Sequence, residues 1–267
     1  MTYRLLIVTF YCDLPNLKIC LFLLNQFWKS DRSITIVYNL KLNKHYREVE
    51  EDKVLNFIKN CAEEILIDWD YEIKLGVDSP NLVGWSEQQL DKVIFSANHK
   101  TEYTIVFDCK DFVYDFFKFE DFFYENKIKI IEIADECKAF VEYSRPFFPI
   151  DINDIHPHPL SPWIWKNSEV KELYNYLIKN FGKLEDWDDF LGTEYMDWFY
   201  YKKYILKQNI NEKFYFTKDR EFPTFQHHRL RDIHKIKETS EILSNIGVPI
   251  NYVTEWKNSV LKFAIIP

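Results

Sequence analysis

Two hydrophobic rhythms alternate along roughly the first 110 residues. Leu5, Leu6, Ile7 and Val8 are consecutive within Arg4–Phe10, as in a strand buried on both faces. Pro15 and Asn16 then mark a helix start, and Leu17, Cys20, Leu21, Leu24, Phe27 and Trp28 recur at helical spacing through Leu17–Lys29. Ser33–Leu40 reads as a second strand, so the chain opens strand–helix–strand, a parallel pair with a right-handed crossover. Tyr46–Ala62 repeats the helical spacing, with Val49, Val54, Leu55 and Ile58 inward. Glu64–Asp68 is expected to be a strand and Lys74–Val83, with Gly76 and Pro80, a loop. Trp85–Ala97 is a third predicted helix. It leads into Tyr103-Thr104-Ile105-Val106-Phe107, a buried strand that ends in the polar cluster Asp108-Cys109-Lys110-Asp111. Alternating strands and helices predict an α/β fold with a mostly parallel sheet flanked by helices.

The rhythm breaks after Asp111. Phe112–Phe123 is dense in aromatic and acidic residues and fits neither period. Lys127–Ile133 alternates as a strand does, and Phe147–Pro162, rich in Pro and His, is expected to be a loop. Asn167–Phe181 and Asp186–Lys207 predict helices, and Lys213–Phe216 a short strand. Arg231–Asn245 is a helix closed by Gly247 and Pro249, and Val260–Ile266 is expected to be a last strand. No linker or repeat divides the chain. It reads as one domain over 1–267, with a site-bearing half at 1–125 and a helical or irregular half at 126–267.

Composition narrows the chemistry. With 47% apolar and 18% aromatic residues, 267 residues supply a sizeable core. Only 5 Gly occur, and neither a GxGxxG nor a Walker sequence is present, which argues against a Gly-rich phosphate loop. A net charge of −8 argues against a sequence-blind coat on nucleic acid, whose affinity comes from Lys and Arg. The Cys at 12, 20, 61, 109 and 137 form no CxxC pair and read as reduced thiols. The N-terminal apolar run is too short for a signal peptide, and no run reaches the length of a membrane span. A cytoplasmic protein with no membrane partner is expected. Abundant Lys, Asn, Ile, Phe and Tyr suit an AT-rich bacterial or phage genome.

Three segments in order carry a family pattern. They are Ile7-Val8-Thr9-Phe10-Tyr11-Cys12-Asp13 before a helix, Gly84-Trp85-Ser86-Glu87-Gln88-Gln89-Leu90-Asp91-Lys92, and Glu102–Asp111. Together they resemble the GT-A class of nucleotide-sugar glycosyltransferases. In particular they resemble a bacterial and phage GT-A-like family with a Gly-Trp-x-x-Gln-Gln-x-x-Lys helix before an Asp-x-Asp strand end. The resemblance covers roughly the first 120 residues. It implies a GT-A-like fold and a nucleotide-sugar donor, a UDP-sugar being the expected one. It also implies donor-binding roles for Thr9, Tyr11, Asp13, Gln88, Gln89, Lys92, Asp108 and Lys110. Gln88 and Lys92, four apart, share a helix face, whereas Gln89 serves from its edge. The chain departs from the pattern at Lys110, which stands where the second Asp is expected. In the class those carboxylates hold Mn²⁺ or Mg²⁺ against the diphosphate. Lys110 supplies part of that charge itself, or Asp111 and a late His228 complete a metal site around Asp108; both alternatives stay open.

Glu194 is the candidate acceptor-side base beside Asp108, and Trp163 and Trp165 alternate so that both face one groove as an acceptor platform. The expected acceptor is a glycan hydroxyl or, in a phage-type enzyme, a hydroxymethylated or already glycosylated DNA base. The alternative is a non-catalytic nucleotide- or carbohydrate-binding protein on the same fold.

Overall fold

The computed structural model describes residues 1–10, 13–39, 50–77, 85–133, 144–150, 158–159, 161–183, 198–217, 223–226 and 233–264. Its strands are β1 Tyr3–Thr9, β2 Ser33–Tyr38, β3 Asp70–Leu75, β4 Tyr103–Asp108, β5 Asp111–Val113, β6 Phe123–Tyr124, β7 Lys127–Ile133, β8 His158–Pro159, β9 Trp163–Lys166, β10 Phe214–Thr217 and β11 Thr224–Gln226. Its helices are α1 Leu14–Phe27, α2 Glu51–Ile65, α3 Trp85–Asn98, α4 Asn167–Phe181, α5 Ile210–Lys213, α6 Ile233–Asn245 and α7 Ile250–Ala264.

The central sheet has the order β3-β2-β1-β4-β9. Its first four strands are parallel and β9 runs antiparallel to β4. All seven residues of β1 are buried, as its continuous apolar run predicts. Alternate side chains feed two cores. Leu5 and Ile7 face α1, α2 and α7, while Leu6 and Val8 face α3 and α4. Arg4 ties the first three strands at their N-terminal ends: Nε donates to Thr35 Oγ1 at 2.6 Å, Nη2 to the Ile34 carbonyl at 2.8 Å, and Nη1 pairs with Asp70 at 2.9 Å. A second sheet, β10-β7-β6, carries β8 on β7, and β11 pairs with β5.

The order of strands decides where a ligand fits. β2 and β3 are laid down on one side of β1 and β4 on the other. The chain therefore reverses direction across the sheet between β1 and β4. A crevice opens outside the carboxyl ends of strands at such a point. Thr9 and Asp108 end those two strands, and Val8 is in register with Asp108.

The mostly parallel α/β sheet expected from the sequence is present, and several boundaries move. The strand expected at Glu64–Asp68 is the end of α2 and a turn, and the third strand starts at Asp70. Cys61, Ala62 and Ile65 continue the inward face of α2, so the apolar triplet Ile65-Leu66-Ile67 belongs to a helix end. Lys74 and Leu75, expected in a loop, finish β3. The strand expected at Val260–Ile266 is overturned, because Val260 lies in α7. Val253, Trp256 and Val260 are buried at helical spacing in the core that α1 shares. The expected strand Tyr103–Phe107 is present as β4, one residue longer, and the polar cluster after it makes a turn at Cys109 and Lys110 and the start of β5. The aromatic segment after it packs inward through Phe112, Phe117, Phe119 and Phe122.

Candidate functional site

The turn that ends β4 is closed by a buried carboxylate. The Asp108 N–H donates to Asp111 Oδ2 at 2.7 Å and to Ser161 Oγ at 3.1 Å. The Ser161 hydroxyl donates to the same Asp111 carboxylate. Asp111 is fully buried, so its carboxylate serves the turn and faces no solvent. Ser161 arrives because β9, just after it, pairs along β4. This holds the side chains of Asp108 and Lys110 at the crevice while Asp111 turns inward.

α3 brings Lys92 to the same place. Lys92 is almost fully buried, with Nζ 3.0 Å from Asp108 Oδ1 and 3.4 Å from Gln89 Oε1. The ammonium also stands over the Trp163 ring, 4.9 Å from its centroid. Carboxylate, amide oxygen and ring face together compensate the cost of burying the charge. Lys110 lies on the other side of Asp108, Nζ to Oδ2 at 3.9 Å, with a third of its side chain exposed. The Asp108 charge raises the Lys110 ammonium above its ordinary value, so Lys110 is charged at neutral pH. Asp108 thus sits between two lysines with a quarter of its side chain exposed.

The end of β1 supplies the facing wall. Thr9 is fully buried, and its carbonyl accepts the Asn39 N–H at 2.9 Å. Asp13 Oδ1 accepts from Asn16 Nδ2 at 3.3 Å, and Asn16 Oδ1 accepts from Trp256 Nε1 at 2.8 Å. This chain anchors the start of α1 to α7. Burial pushes the Asp13 carboxyl up to about 6, opposed by the Lys110 charge and a Cys109 hydrogen bond and reinforced by Asp108. Asp13, Asp108 and Lys110 therefore share one electrostatic environment.

A third buried carboxylate, after Asp111 and Asp13, was not foreseen from the sequence. Asp91 on α3 accepts the Val77 N–H at 2.6 Å and Asn39 Nδ2 at 3.0 Å. Burial pushes it up to about 7. Gly76 is required beside it, because a Cβ there would stand 2.4 Å from Asp91 Oδ2. The available signal was a lone Gly in a chain with only 5 of them.

The structure brings Thr9, Asp13, Lys92, Asp108 and Lys110 together at the carboxyl ends of β1 and β4. Gln89, rather than Gln88, meets Lys92, and Gln88 is partly buried. Trp163 is buried under the Lys92 ammonium, and Trp165 is fully buried in the core and presents no open ring face. Tyr11, Glu194 and His228 lie outside the described residues. The turn fits a divalent cation poorly. Such an ion needs several oxygen ligands. Asp111 is buried and engaged, and both Asp108 oxygens face ammonium groups. Among the described residues no group of three His, Cys, Asp or Glu is placed to hold a metal. None of the described helices is long and apolar enough to cross a membrane.

A family model described as a family of unknown function, DUF6492, matches residues 34–240. Curated proteins give no match. Among solved structures, the chain is similar to the apo form of the WbbM bifunctional glycosyltransferase, with a TM-score of 0.54 at 9% identity. The likeness covers 98% of this chain and 51% of that one, so the chain spans about half the length of this structural relative. At that identity the likeness concerns the fold, and it agrees with a GT-A-like sheet.

Proposed function

The chain belongs to the family of unknown function DUF6492, and from that premise we propose that it is a nucleotide-sugar glycosyltransferase. The observation that carries this reading is the Lys92–Asp108–Lys110 cluster at the switch point of the sheet. A fold similar to a structure titled a glycosyltransferase supports it. In this reading Thr9, Tyr11 and Asp13 receive the nucleoside, with Tyr11 stacking on the base and Asp13 accepting ribose hydroxyls. Gln88, Gln89 and Lys92 line the donor side, and the lysines face the diphosphate. Asp108 accepts hydrogen bonds from hydroxyls of the transferred sugar. A UDP-sugar is the expected donor.

The bond from the anomeric carbon to the diphosphate oxygen breaks, and its electron pair stays on the diphosphate. A bond from the acceptor oxygen to the anomeric carbon forms, and the acceptor proton passes to the Glu194 carboxylate. The acceptor is a glycan hydroxyl or the hydroxymethyl group of a modified DNA base.

A thermal-shift panel of nucleoside diphosphates and sugar nucleotides tests the reading. Stabilisation by at least one of them, with donor hydrolysis lost in Asp108→Ala, is the expected result. No shift with any nucleotide sinks it. Binding without hydrolysis or transfer in the wild-type protein leaves the non-catalytic alternative. Transfer to hydroxymethylated DNA against transfer to an oligosaccharide separates the two acceptors.

A further inference from the structure

We propose that this cleft neutralises the donor diphosphate with Lys110, backed by Lys92, in place of a divalent cation. The inference rests on the glycosyltransferase reading and deepens it.

Two ammonium groups flank Asp108, where the metal arrangement has a cation between two carboxylates. The Asp13 and Asp111 carboxylates act on Lys110 as well, so it keeps its charge before an anion arrives.

Geometry assigns different parts to the two lysines. Lys92 is buried and held by Asp108, Gln89 and the Trp163 ring. Its ammonium, 3.0 Å from Asp108 Oδ1, occupies the approach that a cation would use on that oxygen. Lys110 is partly exposed, and its 3.9 Å contact to Asp108 is longer than a hydrogen bond. It reorients onto a non-bridging phosphate oxygen at small cost, donating an N–H as negative charge builds on the departing diphosphate. Lys110 keeps its proton throughout, and no bond to it is made or broken.

Asp111 does not restore a metal site. Turning its carboxylate outward would take an acceptor from the Asp108 N–H and from Ser161, both in the turn that positions Lys110. Of the two Asp108 oxygens, Oδ1 is engaged by Lys92 and Oδ2 lies beside the Lys110 ammonium.

The test is calorimetric binding of UDP, GDP, ADP, CDP and dTDP to the full chain, in EDTA and in Mn²⁺. The variants are Lys110→Ala, Lys110→Arg and Lys110→Asp, each checked for folding by circular dichroism. The wild-type protein is expected to bind its preferred diphosphate within about twofold under the two conditions. Lys110→Ala is expected to lose about tenfold or more in affinity, and Lys110→Arg to keep most of it. Lys110→Asp is expected to bind weakly in EDTA and to recover with Mn²⁺. Wild-type binding tenfold tighter with Mn²⁺, or undiminished binding by Lys110→Ala, overturns this inference alone. Absence of binding to every diphosphate in both conditions overturns the glycosyltransferase reading along with it.

Discussion

Lys92 Nζ and Asp108 Oδ1 meet at 3.0 Å across the gap between α3 and the end of β4, the lysine buried and the carboxylate a quarter exposed. Removing the ammonium takes from Asp108 the closer of the two lysines that flank it. Breaking a buried pair costs several kcal/mol, and the partial exposure of Asp108 reduces this. Lys92→Met is expected to lower stability by about 2 kcal/mol. Urea unfolding measures it. An unchanged midpoint would mean that the pair contributes nothing net.

Asp111 and Ser161 hold the turn that presents Asp108 and Lys110. Asp111→Ala removes the closer of two acceptors from the Asp108 N–H and leaves the Ser161 hydroxyl its long 3.5 Å contact to the Val106 carbonyl. The expected cost is about 2–3 kcal/mol, against about 1 kcal/mol for Ser161→Ala. Nucleotide affinity falls in Asp111→Ala although Asp111 itself is buried beneath the turn. Equal unfolding midpoints for the two variants would show that Asp111 does not close it.

Gly76 tests the neighbouring polar cluster. A Cβ at 76 meets Asp91 Oδ2 at 2.4 Å, and that oxygen is held by Asn39. The carboxylate cannot move aside without giving up that bond or the one to Val77. Gly76→Ala is expected to cost about 1–3 kcal/mol in a thermal melt. A melt like that of the wild-type protein would show that Asp91 is not fixed there.

Asp91 also predicts a pH dependence. Its carboxyl titrates at about 7 in the fold and at roughly 3.9 in the unfolded chain. Between those values the folded state holds a proton that the unfolded state lacks. Stability from this group therefore rises as pH falls from 7 towards 4 and is lost as pH climbs through 7. Burial is the main cause, with Glu87 one turn earlier on α3 adding to it. Asp91→Asn carries no such ionisation. Relative to the wild-type protein it is expected to unfold at a higher temperature at pH 8 than it does at pH 5.5. An offset independent of pH would place the Asp91 carboxyl in its ordinary range.

How far the sequence reached depends on the range of the interactions concerned. Apolar runs and helical spacing are local properties. They located β1, α1, β2, α3 and β4, and with them the alternation that makes a mostly parallel sheet. They failed where a short apolar triplet fits both periods. Ile65-Leu66-Ile67 looked like a strand but closes α2, and Val260 looked like the start of a strand but faces the core from α7.

The polar arrangement is another matter. Strand ends placed Thr9 and Asp108 near one crevice, because residues at carboxyl ends of parallel strands converge at a switch point. Helix geometry alone offered Gln88 as the partner of Lys92, four residues along. Packing of α3 turned Gln89 to it, because Lys92 must be buried and its charge needs an oxygen. Asp111 was offered by the sequence as a candidate metal ligand beside Asp108. It became a buried acceptor because Ser161, 53 residues beyond Asp108, is carried in by antiparallel pairing of β9 on β4. Asp91 with Asn39, 52 residues apart, and Asp108 between two lysines follow the same rule. Local spacing fixes which residues share an element. Only the packing of elements remote in sequence sets which charges meet, how far each is desolvated, and so which carboxylate remains at the crevice to face a ligand.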